Sequence, residues 1–219
     1  YICLNENQIR LLKEIGFDGN KIVKKYNFVP DAQANLKSIK LDDIPERYVV
    51  FYGRIGEEKG IRILMRIWDE IQDIPLVVMG TGPLETEFKE WAKNKDNVYF
   101  LGYTQHERCL SIVKGSEFVV FPSIWYEGCS MVEIETESLG KGLVATDLGF
   151  SVEAIENGVN GFKVKLGDVK GFKNQIKTLW NDPELCKSIG VNARMDYERK
   201  YVLEMNYEEL NSIYKEVLG

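Results

Sequence analysis

The sequence predicts an α/β protein, a doubly wound parallel sheet of about six strands with additional C-terminal helices. Three observations predict it. Short apolar runs alternate with helix-patterned stretches from Val49 to Val164, the order of a parallel sheet with crossover helices. Several runs are apolar at every position, such as Val49 to Tyr52, Leu76 to Met79 and Phe118 to Phe121, as strands covered on both faces must be. Glycines and unusual polar residues then follow the strands directly: Gly53 and Arg54, Gly80 to Gly82, Gly102 and Tyr103, Trp125 to Ser130. Ligands of such sheets bind beyond the carboxyl ends of the strands, so these loops are expected to converge on one site.

In chain order, Tyr1 to Leu4 reads as a strand already under way, with no initiator Met. Gln8 to Ile15 reads as a helix closed by Gly16, and a short strand starts at Ile22 and ends before Pro30. These residues look like the last βαβ piece of something upstream, and the chain reads as a fragment. Asp31 to Pro45 is polar and reads as a linker, with Asp42 and Asp43 in a solvated turn. The main domain starts at Arg47. Its strands are Val49 to Tyr52, Leu76 to Met79, Val98 to Leu101, Phe118 to Phe121, a run after Gly142, and Gly161 to Val164. Helices are expected over Ile61 to Ile71, Leu84 to Asn94, His106 to Lys114, from Ser130, and briefly over Phe150 to Glu156. Val169 to Leu218 reads as about three more.

The chain has 219 residues, 44% of them apolar, and a net charge of −6. A polyanion gains no general attraction from it, which argues against nucleic acid as the main ligand. Cys3, Cys109, Cys129 and Cys186 are scattered, without metal-site spacing, as reduced thiols in a reducing compartment would be. Cys129 has no base near it in sequence, which disfavours a nucleophile. No apolar run is long enough to span a membrane.

The unit from Phe118 to Asp147 carries the most informative carboxylates. Ser130 is a good N-cap for the helix that follows. At about 100° per residue, Met131, Ile134, Ser138 and Leu139 share one face with Glu135 in its middle, while Glu133, Thr136 and Glu137 face solvent. Glu135 lies about 7.5 Å along the axis from the helix start. With an anion at the helix N-terminus, it is placed to bond a sugar hydroxyl one unit further on. A core Glu satisfied by a Lys or a backbone amide is the competing reading.

Arg54 and Lys59, beside Gly60, suit a diphosphate, one as a planar fork and one as a point charge. The alternative is a solvated pair answering Glu57 and Glu58. Gly80 and Gly82 hint at a dinucleotide fingerprint, but Glu85 stands where the third glycine belongs, so a plain turn is the better reading. Glu127 and Glu135 are too close along one loop and helix to flank a glycosidic bond, and line one ligand instead. No Asp-x-Asp pair stands at a strand end to bridge a metal and a diphosphate. Trp125 and Tyr126 either stack on a ligand or pack beneath the loop.

As a set, Gly53-Arg54 with Lys59-Gly60, Val78 to Pro83, Asn97-Val98 with Leu101-Gly102, Pro122 to Gly128, Glu135, and Glu153 with Asn160-Gly161 resemble glycosyltransferase family 4 over about residues 20 to 200. Glu127 and Glu135, with seven residues between them, are the most specific part. The resemblance implies a retaining enzyme of GT-B fold, with two Rossmann-like domains and a nucleotide-sugar donor, UDP- or GDP-linked. Arg54 and Lys59 would hold the diphosphate and Glu127 the donor sugar, the three residues implied in catalysis. Glu135 would hold the ribose. Backbone at Gly128, Cys129, Ser130, Met131 and Val132 would meet sugar and phosphate. Gly53 and Gly82 would border the donor, and the Gly102-Tyr103 loop would cradle the base. No metal or other cofactor is implied. Ser130, Glu133 and the Thr136-Glu137 pair depart from the family pattern, and Ser130 narrows access to the backbone.

The resemblance also implies a layout. Residues 1–35 would end an upstream acceptor domain and its linker, residues 36–202 would form the Rossmann-like donor domain, and the helix in 203–219 would cross toward the missing domain. The expected partners are the nucleotide-sugar donor and a glycan or lipid-linked acceptor held by that missing domain, with no nucleic acid. The expected location is cytoplasmic, with peripheral contact at the inner membrane face left open. The fragment alone is expected to turn over little. The competing functions are a nucleotide-sugar epimerase or hydrolase of similar shape, or a non-catalytic nucleotide-binding module.

Overall fold

The computed structural model describes residues 1–31, 36–39, 41–42 and 44–218. A small unit comes first: β1 (Ile2–Cys3), α1 (Glu6–Glu14) and β2 (Val23–Lys24), with β1 and β2 parallel. Asn5 caps α1 by accepting from the amide of Gln8, and Gly16 closes it at a φ of 96°. The main sheet follows: β3 (Val49–Tyr52), β4 (Leu76–Met79), β5 (Val98–Gly102), β6 (Val119–Phe121), β7 (Leu143–Thr146) and β8 (Gly161–Val164). All six are parallel, in the order β5-β4-β3-β6-β7-β8. The order reverses between β3 and β6, and a doubly wound sheet opens its crevice at that point. The linker reading for Asp31 to Pro45 lies partly outside the described residues, as do Asp43 and the expected domain boundary at residue 35.

Alternation along each strand builds two cores. In β3, Val49 and Phe51 point to one side and Val50 and Tyr52 to the other, and all four are buried. The first side is covered by α2 (Ile61–Asp69), α3 (Glu85–Ala92) and α7 (Val169–Asn181), which contribute Trp68, Phe88 and Phe172, all fully buried. The second side is covered by α4 (His106–Gly115), α5 (Met131–Ser138), the short α6 (Ser151–Ala154) and the end of α8 (Pro183–Lys200). Each large side chain so buried contributes about 1.5–3 kcal/mol, which is why fully apolar runs mark the strands.

The last helix, α9 (Leu203–Leu218), buries Asn206, whose side-chain amide donates to the Tyr26 carbonyl at 2.8 Å. Met205, Tyr207 and Tyr214 on α9 are exposed. The N-terminal unit is fastened at several points. The amide of Val29 donates to Tyr201 O, the Tyr26 ring meets Phe150 and Tyr201 edge-on, and Asn5 Nδ2 donates to the carbonyls of Glu127 and Gly128 at 3.2 and 2.6 Å.

Helix α5 corrects the sequence reading. Glu133, Thr136 and Glu137, expected to face solvent, are buried, and Met131, expected on the apolar face, is exposed. The reason is that α5 is covered twice, by the sheet on one side and by α8 on the other. The angular reading looked for one wet face, and this helix has almost none. Thr136 Oγ1 donates to Val132 O at 2.7 Å and lies 3.0 Å from the Tyr52 hydroxyl. Both carboxylate oxygens of Glu133 and one of Glu137 are buried without a hydrogen-bond partner. Burial pushes the Glu133 carboxyl up to about 8, and that of Glu137 well above its ordinary range, by burial first and then by the charge of Glu133.

A pH dependence follows. Between about 4.5 and about 8 the unfolded chain releases the Glu133 proton while the folded chain keeps it. The stabilisation is therefore complete below that window and lost as pH rises through it. Thermal melts should show Tm falling across the window, and Glu133→Gln should flatten the fall and raise Tm most at its alkaline end. Equal pH slopes for the two proteins would refute the assignment.

Candidate functional site

The carboxyl ends of the strands are knitted together by backbone bonds. Gly53 N donates to Met79 O, Ile55 N to Thr81 O, Gly80 N to Gly102 O and Leu84 N to Ile55 O. A Cβ on Gly80 would lie 1.8 Å from Gly53 O, and one on Gly82 would lie 2.4 Å from Ile55 O. The two glycines are thus there for close approach between loops, in agreement with the turn reading and not with a dinucleotide fingerprint.

These loops enclose a cleft of about 380 Å³, bordered by Gly53, Arg54, Thr81, Tyr103 and His106, with Tyr52 and Cys109 behind. Glu135 stands beside it, largely buried, with Oε1 3.5 Å from His106 Nε2. Burial raises the Glu135 carboxyl pKa, and His106 and the Tyr52 hydroxyl work against that rise. The Tyr52 hydroxyl lies 2.8 Å from Val132 O and so ties the end of β3 to the first turn of α5. Such a hydroxyl at the end of a buried strand needs a partner, a signal that was available in the sequence. His106, read in the sequence only as the start of a helix, is the other residue that the structure brings to the cleft.

The second cluster lies at the reversal of strand order. Lys59 Nζ is 2.5 Å from Glu127 Oε1, and Ser123 Oγ is 3.0 Å from the same oxygen. Both charged side chains are mostly buried. Ser123 Oγ also lies 3.1 Å from Glu58 O, and Ile124 N donates to that carbonyl at 3.0 Å. The β6 loop is therefore laced to the turn that carries Lys59. Gly60 closes that turn at a φ of 71°, where a Cβ would fall 1.9 Å from Pro122 O. Arg54 lies further out, with Nε 3.4 Å from a Glu58 carboxylate oxygen. The solvated-pair reading thus describes the partner of Arg54, while Lys59 is paired with the site carboxylate instead.

Ser130 caps α5 as expected, its Oγ accepting from Glu133 N at 3.4 Å. Gly128 lies against Gln8 and Leu4 of the N-terminal unit. Cys129 is buried, its sulfur accepting from Asn27 N at 3.4 Å, and burial pushes the thiol up to about 11, so it is not poised as a nucleophile. Trp125 and Tyr126 are exposed at 62% and 67%, so packing beneath the loop is not their role. Among the described residues no group of three or more His, Cys, Asp or Glu is arranged to hold a metal ion, and no helix is long and apolar enough to cross a membrane.

The family model described as "Glycosyl transferases group 1" matches residues 33–196. Among curated proteins, the chain is 29% identical over 210 residues to the capsular polysaccharide biosynthesis glycosyltransferase CapM of Staphylococcus aureus, covering 92% of this chain and 51% of that protein. It is 30% identical over 184 residues to the alpha-D-kanosaminyltransferase of Streptomyces kanamyceticus, covering 81% of this chain and 47% of that protein. The chain thus spans about half the length of these relatives. Among solved structures, Anabaena HepE in complex with UDP superposes with a TM-score of 0.86 at 20% identity, over 98% of this chain and 63% of that one. S. aureus TarM in complex with fondaparinux, alpha-GlcNAc-glycerol and UDP superposes with a TM-score of 0.80 at 22% identity, over 97% and 43%. The six-stranded sheet and its helices match the C-terminal Rossmann-like half of GT-B enzymes.

The Gly60–Pro122 approach sets the position of Lys59. Gly60→Ala should cost about 2–4 kcal/mol, from the left-handed backbone and the clash together, read as a lower midpoint in urea unfolding. An unchanged midpoint would mean that the turn relaxes freely and does not hold Lys59 in place.

Proposed function

The chain belongs to the group 1 glycosyl transferases, and we propose that it is the donor-binding part of a retaining, family 4 enzyme that transfers a sugar from a nucleotide-sugar to a glycan or lipid-linked acceptor. The observation that carries this reading is the Lys59–Glu127 contact at the reversal of strand order, with Glu135 further along α5 beside the cleft.

In this reading the nucleotide lies in the cleft between the β3, β4 and β5 loops, its base near Gly102 and Tyr103 and its ribose hydroxyls on Glu135. The diphosphate lies toward the start of α5, where Arg54 and Lys59 supply positive charge as the leaving group departs. Charge-assisted bonds of this kind contribute about 1.5–3 kcal/mol each. They serve where a divalent cation serves in metal-dependent transferases, so the reaction is expected to need no metal. Glu127, released in part from Lys59, accepts hydroxyls of the donor sugar. Retention follows if the acceptor attacks from the face that the phosphate leaves, with a phosphate oxygen taking its proton.

In this reading residues 1–35 and the helix in 203–219 belong to the junction with an upstream acceptor domain. The proposed setting is the cytoplasmic side of a membrane where surface polysaccharide or lipid-linked glycan is built, and the chain alone is expected to bind donor and turn over little.

The test is a thermal-shift panel of UDP, GDP, ADP and their sugars, with and without Mg²⁺. A ligand bound only to the native state stabilises by RT ln(1 + [L]/Kd). One nucleotide family should raise Tm independently of Mg²⁺, and Arg54→Ala and Glu135→Ala should each weaken it at least tenfold (~1.4 kcal/mol). Unchanged affinity in both variants would overturn the site assignment.

A further inference from the structure

A second cavity, of about 330 Å³, lies on the other side of the Tyr126–Gly128 loop. Its walls come from three places: Asn5 and Arg10 at α1, Tyr126 after β6, and Asp147, Gly149 and Glu153 after β7. Gly149 has a φ of +59°, and a Cβ there would come within 2.6 Å of Glu127 N. The wall is thus packed directly on the backbone of Glu127. This cavity therefore abuts Glu127 on the β6–β7 side of the strand reversal, while the first cleft lies among the β3–β5 loops.

The lining chemistry is specific. Glu153 Oε1 is buried without a hydrogen-bond partner. Its other oxygen is 3.6 Å from Lys24 Nζ and accepts from Glu6 N at 3.4 Å, so the carboxylate is fixed in place. Asp147 is half-exposed, 3.8 Å from Lys163. The Arg10 guanidinium is steadied by Glu14 and Asn7 at 2.8 Å each. The Tyr126 ring lies open. The half-exposed Asp147 carboxylate and the Arg10 guanidinium can pair with vicinal hydroxyls, the exposed Tyr126 ring takes the C–H face of a pyranose, and the volume is at the lower end for a small ligand. Leu148 and Val152 complete the lining, so apolar surface suited to the C–H faces of a pyranose lies beside the polar groups.

We propose that this cavity is a saccharide subsite and that it seats the sugar unit of the acceptor. The chain then supplies part of the acceptor site itself, and does not leave it wholly to an upstream domain. Binding stands on the cavity alone; the acceptor role rests on the donor-site reading above.

The test uses the 219-residue chain with ¹⁵N-labelled amides. It is titrated separately with nucleotide, then with methyl α-glucoside, methyl α-mannoside and methyl N-acetyl-α-glucosaminide in the millimolar range. The expected result is saturable shifts at Asn5, Tyr126 and Gly149 with at least one glycoside. Asp147→Asn and Tyr126→Ala, both at exposed positions, should weaken that glycoside at least tenfold and leave nucleotide affinity unchanged. Shifts confined to Gly53, Thr81 and Tyr103, no glycoside shifts at all, or full glycoside affinity in both variants would each overturn the subsite. Nucleotide shifts at Gly53, Thr81 and Tyr103 report the donor reading separately, so loss of one does not hide loss of the other.

Discussion

The contact between Lys59 and Glu127 is the constraint on which the site depends. It joins the loop after β3 to the loop after β6, across the point where the strand order reverses. The two strands themselves are paired at one register position only, Val50 with Val119. Beyond them the chains would diverge, and what holds them is the lacing at Glu58, Ser123 and Ile124 and the seating of Gly60 on Pro122. A mostly buried ion pair is weak evidence of net stability, because desolvation offsets much of the attraction. Its value here is positional. It holds a cation and a carboxylate side by side where the strand order reverses.

Much of the fold was legible because burial on both faces leaves a plain mark. The runs from Val49 to Tyr52 and Leu76 to Met79 have no polar position, and the observed strands coincide with them. The convergence of Gly53, Gly80 and Tyr103 followed from the rule for strand ends. Helix α5 was not legible for a related reason. Its sequence has three carboxylates and a threonine in eight residues, and periodicity assigns such residues to water. The packing that overrides this comes from α8, some fifty residues later, and no local window contains it. For Trp125 and Tyr126 the sequence left stacking on a ligand and packing beneath the loop both open. Both side chains are exposed, and the backbone of their loop is packed at Glu127 against Gly149.

The buried acids of α5 bear on the site as well as on stability. Glu133 is in the first turn of the helix, where an ionised carboxylate would compensate the partial positive charge of the N-terminal amides. Held protonated, it contributes no negative charge there. The first turn of α5 then keeps its unsatisfied amide potential, with Ser130 capping Glu133 N and Lys59 close by through Glu127. Replacing Glu133 by an apolar residue of similar volume would leave that potential in place, whereas an ionised residue at the same depth would cancel it. The fold thus accepts a buried acid behind the start of α5, and while that acid is protonated it adds no negative charge there.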